Sequence, residues 1–255
     1  MSRFYLCEPG KEPRFMEDVT TPAQARNFPS PFVYASITTK LDVLPSGMRN
    51  WRENRLIKLA QADPEADPEK IMEAAWGYRE MPDGSQVGSA DFGTYVHSQI
   101  EDLNTALIKG HGSCGLPVDP DWEKYTSGWL EWVCENSVEI VAAEEIICCH
   151  DMRVAGTMDC VARLWDEIIL CDYKSREGRG KLKEKAYEKD ICQLAVSAKM
   201  YREKHGLPYT PRVYTVLIDT DTGETHCKLW TVKAQEKGLK KFLAANQFYN
   251  AYYEL

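Results

Sequence analysis

The residues best suited to chemistry stand in one stretch: Gly156-Thr157-Met158-Asp159, then Ile168-Ile169-Leu170-Cys171-Asp172-Tyr173-Lys174. Residues two apart on a strand point the same way, so Asp172 and Lys174 share a face. A carboxylate and an ammonium closing so apolar a strand are costly unless paired or bound to a cation. A hairpin to the preceding strand would set Asp159 across from them, and Gly156 suits a bulge that re-aims its carboxylate. Two carboxylates with carbonyl and water oxygens suit Mg²⁺ or Mn²⁺. A lysine beside such a metal positions a water or steadies the charge of a phosphorane-like transition state. An isolated Asp-x-Lys is also common as a plain ion pair at a wet strand end, so further residues must fall into place before it counts as a site.

The elements that would carry this stretch follow from periodicity and punctuation. Residues 1–33 hold Pro9, Pro13, Pro22, Pro29 and Pro31 and little period, and read as an irregular segment. From Ser36, Leu41, Leu44, Met48, Trp51, Leu56 and Leu59 recur at helical spacing, with an interruption at Pro45. Further helices are expected over Glu65–Tyr78, Ala90–Lys109 and Asp121–Glu135, with a turn at Met81–Ser85. At Ser137 the character changes to β-branched runs. Val138–Cys149, Arg153–Leu164 and Ile168–Lys174 read as strands, the last two joined at Asp166-Glu167. A helix over Lys183–Lys204, a hairpin of Arg212–Ile218 with Thr225–Val232, and a helix from Ala234 to Tyr253 complete the order. The expected division is 1–33 irregular, 34–136 helical, and 137–255 as an α/β core forming one unit with 34–136.

Composition fits this. The chain has 255 residues, 44% hydrophobic and 27% charged, which excludes wholesale disorder, collagen and coiled coil. No apolar run is long enough for a membrane span, and the charged N-terminus does not read as a signal peptide. The nine cysteines include no Cys-x-x-Cys pair and several sit among apolar neighbours, so they read as buried, reduced thiols of an intracellular protein. A net charge of −8 argues against non-specific nucleic-acid binding on bulk charge, so a local basic patch is needed. One exists: Lys174, Arg176, Arg179, Lys181, Lys183, Lys185 and Lys189 face only Glu177, Glu184 and Glu188 in the same window. A second cluster, Arg49, Arg52, Arg55 and Lys58, recurs at helical spacing. Such runs are usually solvated faces, but the first begins beside the Asp172–Lys174 pair, which favours phosphate binding.

The joint pattern resembles the PD-(D/E)XK nucleases, in particular the RecB-like branch. Besides Gly156-x-x-Asp159 and Asp172-x-Lys174, the chain has Gly93-Thr94-x-x-His97-x-x-x-Glu101, Glu144 on the preceding strand and Gln193 on the following helix. Ser36-Ile37-Thr38 and Trp51 are similar to the start of an exonuclease group that includes the mitochondrial genome maintenance exonuclease and phage relatives. The family's tyrosine four residues after the glutamine is replaced by Ser197. The resemblance implies an α/β fold: a restriction-endonuclease-like core with a mixed central sheet between helices and N-terminal helical additions.

It also implies a Mg²⁺- or Mn²⁺-dependent deoxyribonuclease, an exonuclease on single-stranded DNA or DNA ends, working in replication, recombination or repair with proteins of those processes. Asp159, Asp172, His97 and the Tyr173 carbonyl would hold the metal, Glu144 would reach it directly or through water, Lys174 would position the attacking water, and Gln193 would assist. Ser36, Thr38, Arg176, Arg179, Lys181 and Lys183 would contact DNA. Glu144 and Glu145 are adjacent on a strand, so only one can reach the site. Relatives in the branch carry an iron–sulfur cluster on four cysteines, three near the C-terminus, where this chain has only Cys227, so no cluster is expected. A small nuclease without helicase motifs points to a phage or similar replicon. A structure-specific endonuclease with the same site, or a non-catalytic DNA-binding subunit, remain alternatives.

Overall fold

The computed structural model describes residues 2–44, 56–63, 65, 67, 71, 77–110 and 119–253. Phe4–Leu6 (β1) and Arg14–Met16 (β2) pair antiparallel; helix α1 (Pro22–Arg26) follows on a Thr21–Gln24 capping box; Val33–Ser36 (β3) lies antiparallel to β1. The segment expected to be irregular therefore contributes β1, β2 and α1, and the first residue of β3. Three-residue strands between prolines show no period, and β1 and β3 are buried throughout, so neither alternates.

Ser36 caps the short helix α2 (Ile37–Leu41). The expected helical positions Met48 and Trp51 lie outside the described residues, as do Arg49, Arg52 and Arg55 of the second basic cluster; residues 56–62 are helical. The expected Glu65–Tyr78 helix also lies mostly outside them, but its end differs. Tyr78–Glu80 is strand β4, folded onto β5 (Gln86–Gly88) through the Met81–Ser85 turn. Two helices follow, α3 (Ser89–Ile108) and α4 (Glu123–Glu135).

The long strands come where the β-branched runs placed them: β6 (Glu139–Cys149), β7 (Val154–Leu164) and β8 (Glu167–Arg176). The expected Lys183–Lys204 helix is split into a 3-10 turn (Leu182–Lys185) and helix α5 (Glu188–His205). Strand β9 (Arg212–Asp219) then lies parallel to β8, β10 (Thr225–Leu229) returns antiparallel, and α6 (Val232–Tyr253) closes the chain.

The central sheet is mixed, in the order β10-β9-β8-β7-β3-β1-β2, with β6 on the other edge of β7; the parallel contacts are β8–β9 and β3–β7. Helices cover both faces, as an α/β layer arrangement requires. Phe92, Val96 and Ile100 of α3 and Trp129 of α4 pack on Ile169, Cys171 and Tyr173. Ile37 and Leu41 of α2, Ile191 of α5 and Phe242 of α6 pack on Leu170 and Val213 of the other face. No helix among the described residues is long and apolar enough to cross a membrane.

Strand β7 forks. Cys160–Leu164 pair with β8, whereas Val154 and Ala155 pair with β3. Between these two ladders β7 keeps β6 on one edge and opens a gap on the other. Asp159 stands in that gap.

Candidate active site

Beyond the fork, β8 continues beside β9 alone, so the Tyr173 N–H has no ladder partner on β7. It donates instead to Asp159 Oδ2 at 2.8 Å. Ile169, Cys171 and Tyr173 occupy the α3–α4 face, so Asp172 and Lys174 face α5, as the strand period requires. The Lys174 ammonium lies 2.8 Å from Asp172 Oδ1 and 2.7 Å from Oδ2. Gln193 of α5 donates to Oδ1 at 2.8 Å. Oδ2 is buried and has no donor with hydrogen-bond geometry.

Asp172 is not at a wet strand end: it is 3% exposed. Burial is the main reason its pKa rises to about 7, with Asp159 and Asp190 adding to this and Lys174 opposing it. Burial alone would lower Lys174, but Asp172 and Asp159 outweigh it and its pKa stands raised.

Glu144 reaches the same place by an irregularity of β6. Gly156, expected to form a bulge, is in regular register with Ile147; the register shift lies on β6 between Ile140 and Ala142. Glu144 itself has φ 51, a left-handed conformation costing on the order of 1 kcal/mol for a side chain with Cβ. Its neighbours pair as Ala143 with Cys160 and Glu145 with Met158, which sets Glu144 opposite Asp159. One side of Glu144 is in solvent and the other is packed; that burial, then Asp159 and Glu101, raises its carboxyl to about 7. Glu145 points away and binds Lys204 at 2.8 Å, so of the adjacent pair it is Glu144 that faces the site. Gly156 instead matters for packing, since a Cβ there would lie 2.7 Å from Ile37 Cδ1.

Helix α3 closes the site from the other face. A Cβ on Gly93 would lie 2.8 Å from Ser175 Oγ, so glycine lets α3 approach the end of β8. His97 then comes within 3.8 Å of Asp159 Oδ2 and stands edge-on to the Tyr173 ring, with ring centres 5.9 Å apart. Burial lowers the His97 pKa, Asp159 opposes that and Lys174 adds to it. Burial, then Asp102 and Asp159, raises Glu101 one turn further along. Asn104 lies fully buried beneath: it accepts from Trp129 Nε1 and donates to the Tyr173 hydroxyl, each at 2.9 Å. The sequence signal for it was a polar residue on the apolar face of the His97 helix.

Thus His97, Glu144, Asp159, Asp172, Tyr173, Lys174 and Gln193 come together. Among the described residues, no three His, Cys, Asp or Glu side chains already converge as a metal cage. Asp159 is held by a backbone N–H, and Asp172 by Lys174 and Gln193. The chemistry of the set nevertheless fits a hard divalent cation: Asp159 raises the pKa of both Glu144 and Asp172, and the buried Asp172 Oδ2 meets only the Lys174 ammonium, without hydrogen-bond geometry.

Other expected contacts are differently used. The Ser36 hydroxyl is buried, accepting from the Thr39 N–H at 3.0 Å and donating to Thr39 Oγ1 at 2.8 Å, so it caps α2 instead of facing DNA; Thr38 is exposed. Arg176, expected to touch phosphate, forms a two-bond ion pair with buried Asp190 at 2.7 and 2.8 Å. Its position on the Asp172 face sends it under α5. Arg179 pairs with Glu177 at 2.9 Å, whereas Lys181 is well exposed and 4.0 Å from Glu184. Ser197 and Tyr201 are buried in α5. No protein-family model matches this chain, and no curated protein matches it.

Proposed function

We propose that the protein is a Mg²⁺- or Mn²⁺-dependent deoxyribonuclease of the PD-(D/E)XK type, an exonuclease acting on single-stranded DNA or DNA ends, and that its sheet and helices form a restriction-endonuclease-like core. The observation that carries this is the meeting of Asp159, Glu144 and the Lys174–Asp172–Gln193 chain at the fork of β7. Asp159, Asp172 and Glu144, with His97 and the Tyr173 carbonyl, would hold the cation, which supplies Lewis acidity toward a phosphodiester. Lys174 keeps its proton, so its ammonium orients the attacking water and offsets charge developing on the phosphoryl oxygens. Gln193 keeps the Asp172 carboxylate turned toward Lys174. His97 and the Tyr173 N–H hold Asp159 from either side.

The decisive experiment is hydrolysis of 5′- and 3′-labelled single and double strands with Mg²⁺ or Mn²⁺, alongside a closed single-stranded circle. Short products from linear strands, a resistant circle, and loss of cutting in Lys174→Met are expected. Rapid cutting of the circle would make the enzyme an endonuclease. No cutting of any strand with either metal would overturn the nuclease reading.

A further inference from the structure

Most arginines around the site are committed to carboxylates. Arg176 binds Asp190, Arg179 binds Glu177, and Arg79 binds both Glu177 and Asp221. Arg3 differs. Its side chain is exposed, and its guanidinium makes no salt bridge or side-chain hydrogen bond within the described residues. Its backbone, by contrast, is tied down on both sides: the N–H donates to Thr39 Oγ1 at 2.9 Å, and the carbonyl accepts from the Ser36 N–H at 2.8 Å.

Strand geometry aims the side chain. Arg3 and Tyr5 point to one face of the strand, and the Tyr5 hydroxyl lies 3.0 Å from Thr157 Oγ1 on β7. β1 runs antiparallel to β3, and β3 parallel to β7. Through Ser36 the register sets Arg3 level with Ala155 of β7, and the Tyr5 contact shows that side chains from this edge lean forward along β7, toward the gap in which Asp159 stands. β3 has already turned into α2 at Ser36, so the space between Arg3 and Asp159 holds no strand. The charge of Arg3 is felt at Glu144 and at His97, which face this space from β6 and α3.

An uncommitted guanidinium on a fixed backbone, at the open side of a carboxylate cluster, has a clear chemical use. The carboxylates repel an incoming phosphodiester, and a planar guanidinium binds two of its oxygens at once. We propose that Arg3 binds the non-bridging oxygens of a substrate phosphodiester and holds the strand across the fork beside Asp159. This rests on the nuclease reading above. It adds a substrate contact from the N-terminal strand, on the side of the fork opposite the Lys181–Lys183 loop.

The test uses the full chain with Arg3→Ala and Arg3→Lys. Binding of a labelled single-stranded oligonucleotide is followed by fluorescence anisotropy across a salt series in Ca²⁺. Cleavage in Mg²⁺ and thermal unfolding are measured on the same proteins. Arg3→Ala should weaken binding about tenfold or more, as expected for loss of a charge-assisted contact. It should flatten the salt dependence by about 0.7. Arg3→Lys should restore the slope but only part of the affinity, because an ammonium cannot bind two oxygens in one plane. The unfolding midpoint should not move, since the side chain is exposed and the two anchoring bonds are made by backbone. Wild-type cutting with unchanged binding in Arg3→Ala would remove the role of Arg3 and leave the nuclease reading standing. A lowered midpoint that accounts for the lost binding would also overturn it, making Arg3 structural. If the wild-type chain neither binds nor cuts DNA, the nuclease reading falls and the role of Arg3 falls with it.

Discussion

Arg176→Leu should destabilise the fold and leave DNA binding, per folded molecule, unchanged. The Arg176 side chain is 16% exposed and that of Asp190 is 4% exposed. Besides its two bonds to Asp190, the guanidinium donates to the Lys185 carbonyl and lies 4.2 Å from the centre of the Tyr187 ring. Removing it leaves Asp190 buried, with the Tyr187 N–H as its remaining donor at 2.7 Å. Stranding one partner of a buried ion pair costs about 3–5 kcal/mol. In a chain of this size each kcal/mol moves the unfolding midpoint by about 2–4 °C, so a fall of roughly 10 °C is expected. Asp190→Leu should cost a similar amount. The double leucine variant should cost less than the sum, because no charge is left stranded. Chemical denaturation of the four proteins followed by circular dichroism gives the cycle, and oligonucleotide anisotropy gives the binding. Suppose Arg176→Leu stayed within about 1 kcal/mol of wild type while weakening DNA binding and flattening its salt slope. The assignment of Arg176 to the β8–α5 contact would then be wrong, and the residue would return to the path of the strand.

Lys40 provides a pH test. It is 1% exposed and donates to the Met152 carbonyl, Asn246 Oδ1 and Asn250 Oδ1, and burial lowers its pKa to about 7. An unfolded lysine titrates near 10.4, so between about pH 7 and pH 10 the unfolded chain binds a proton that the folded chain lacks. Stability should therefore rise with pH across that window, up to a ceiling of roughly 5 kcal/mol, and the penalty should be complete below it. Lys40→Met should remove this rise, and parallel denaturation curves for the two proteins from about pH 7 to pH 9 would refute the account. For the basic loop, replacing Lys181 and Lys183 together with serine should flatten the salt dependence of DNA binding by about 1.4, without changing sequence preference. An unchanged slope would make this run a solvated face.

What the sequence determined alone was local direction. β-Branched runs placed β6 to β9 within a residue or two, and the period of two put Asp172 and Lys174 on one face and sent Glu144 and Glu145 opposite ways. The same period places Arg176 on the Asp172 face, but not what covers that face. Only the packing of α5 brings Asp190 there and turns an expected phosphate contact into a buried ion pair. Packing likewise buried Asp172, moved the backbone irregularity from Gly156 to the β6 strand around Glu144, and made Ser36 a cap. It also recruited β1 to β3 into the sheet, from a stretch whose strands are too short and too evenly buried to show a period. The physical reason is common to all of these. Side-chain direction is set by the residue's own backbone and survives in any context. Burial, charge pairing and the fork that opens around Asp159 arise from contacts between elements far apart in the chain, and no short window of sequence contains both partners.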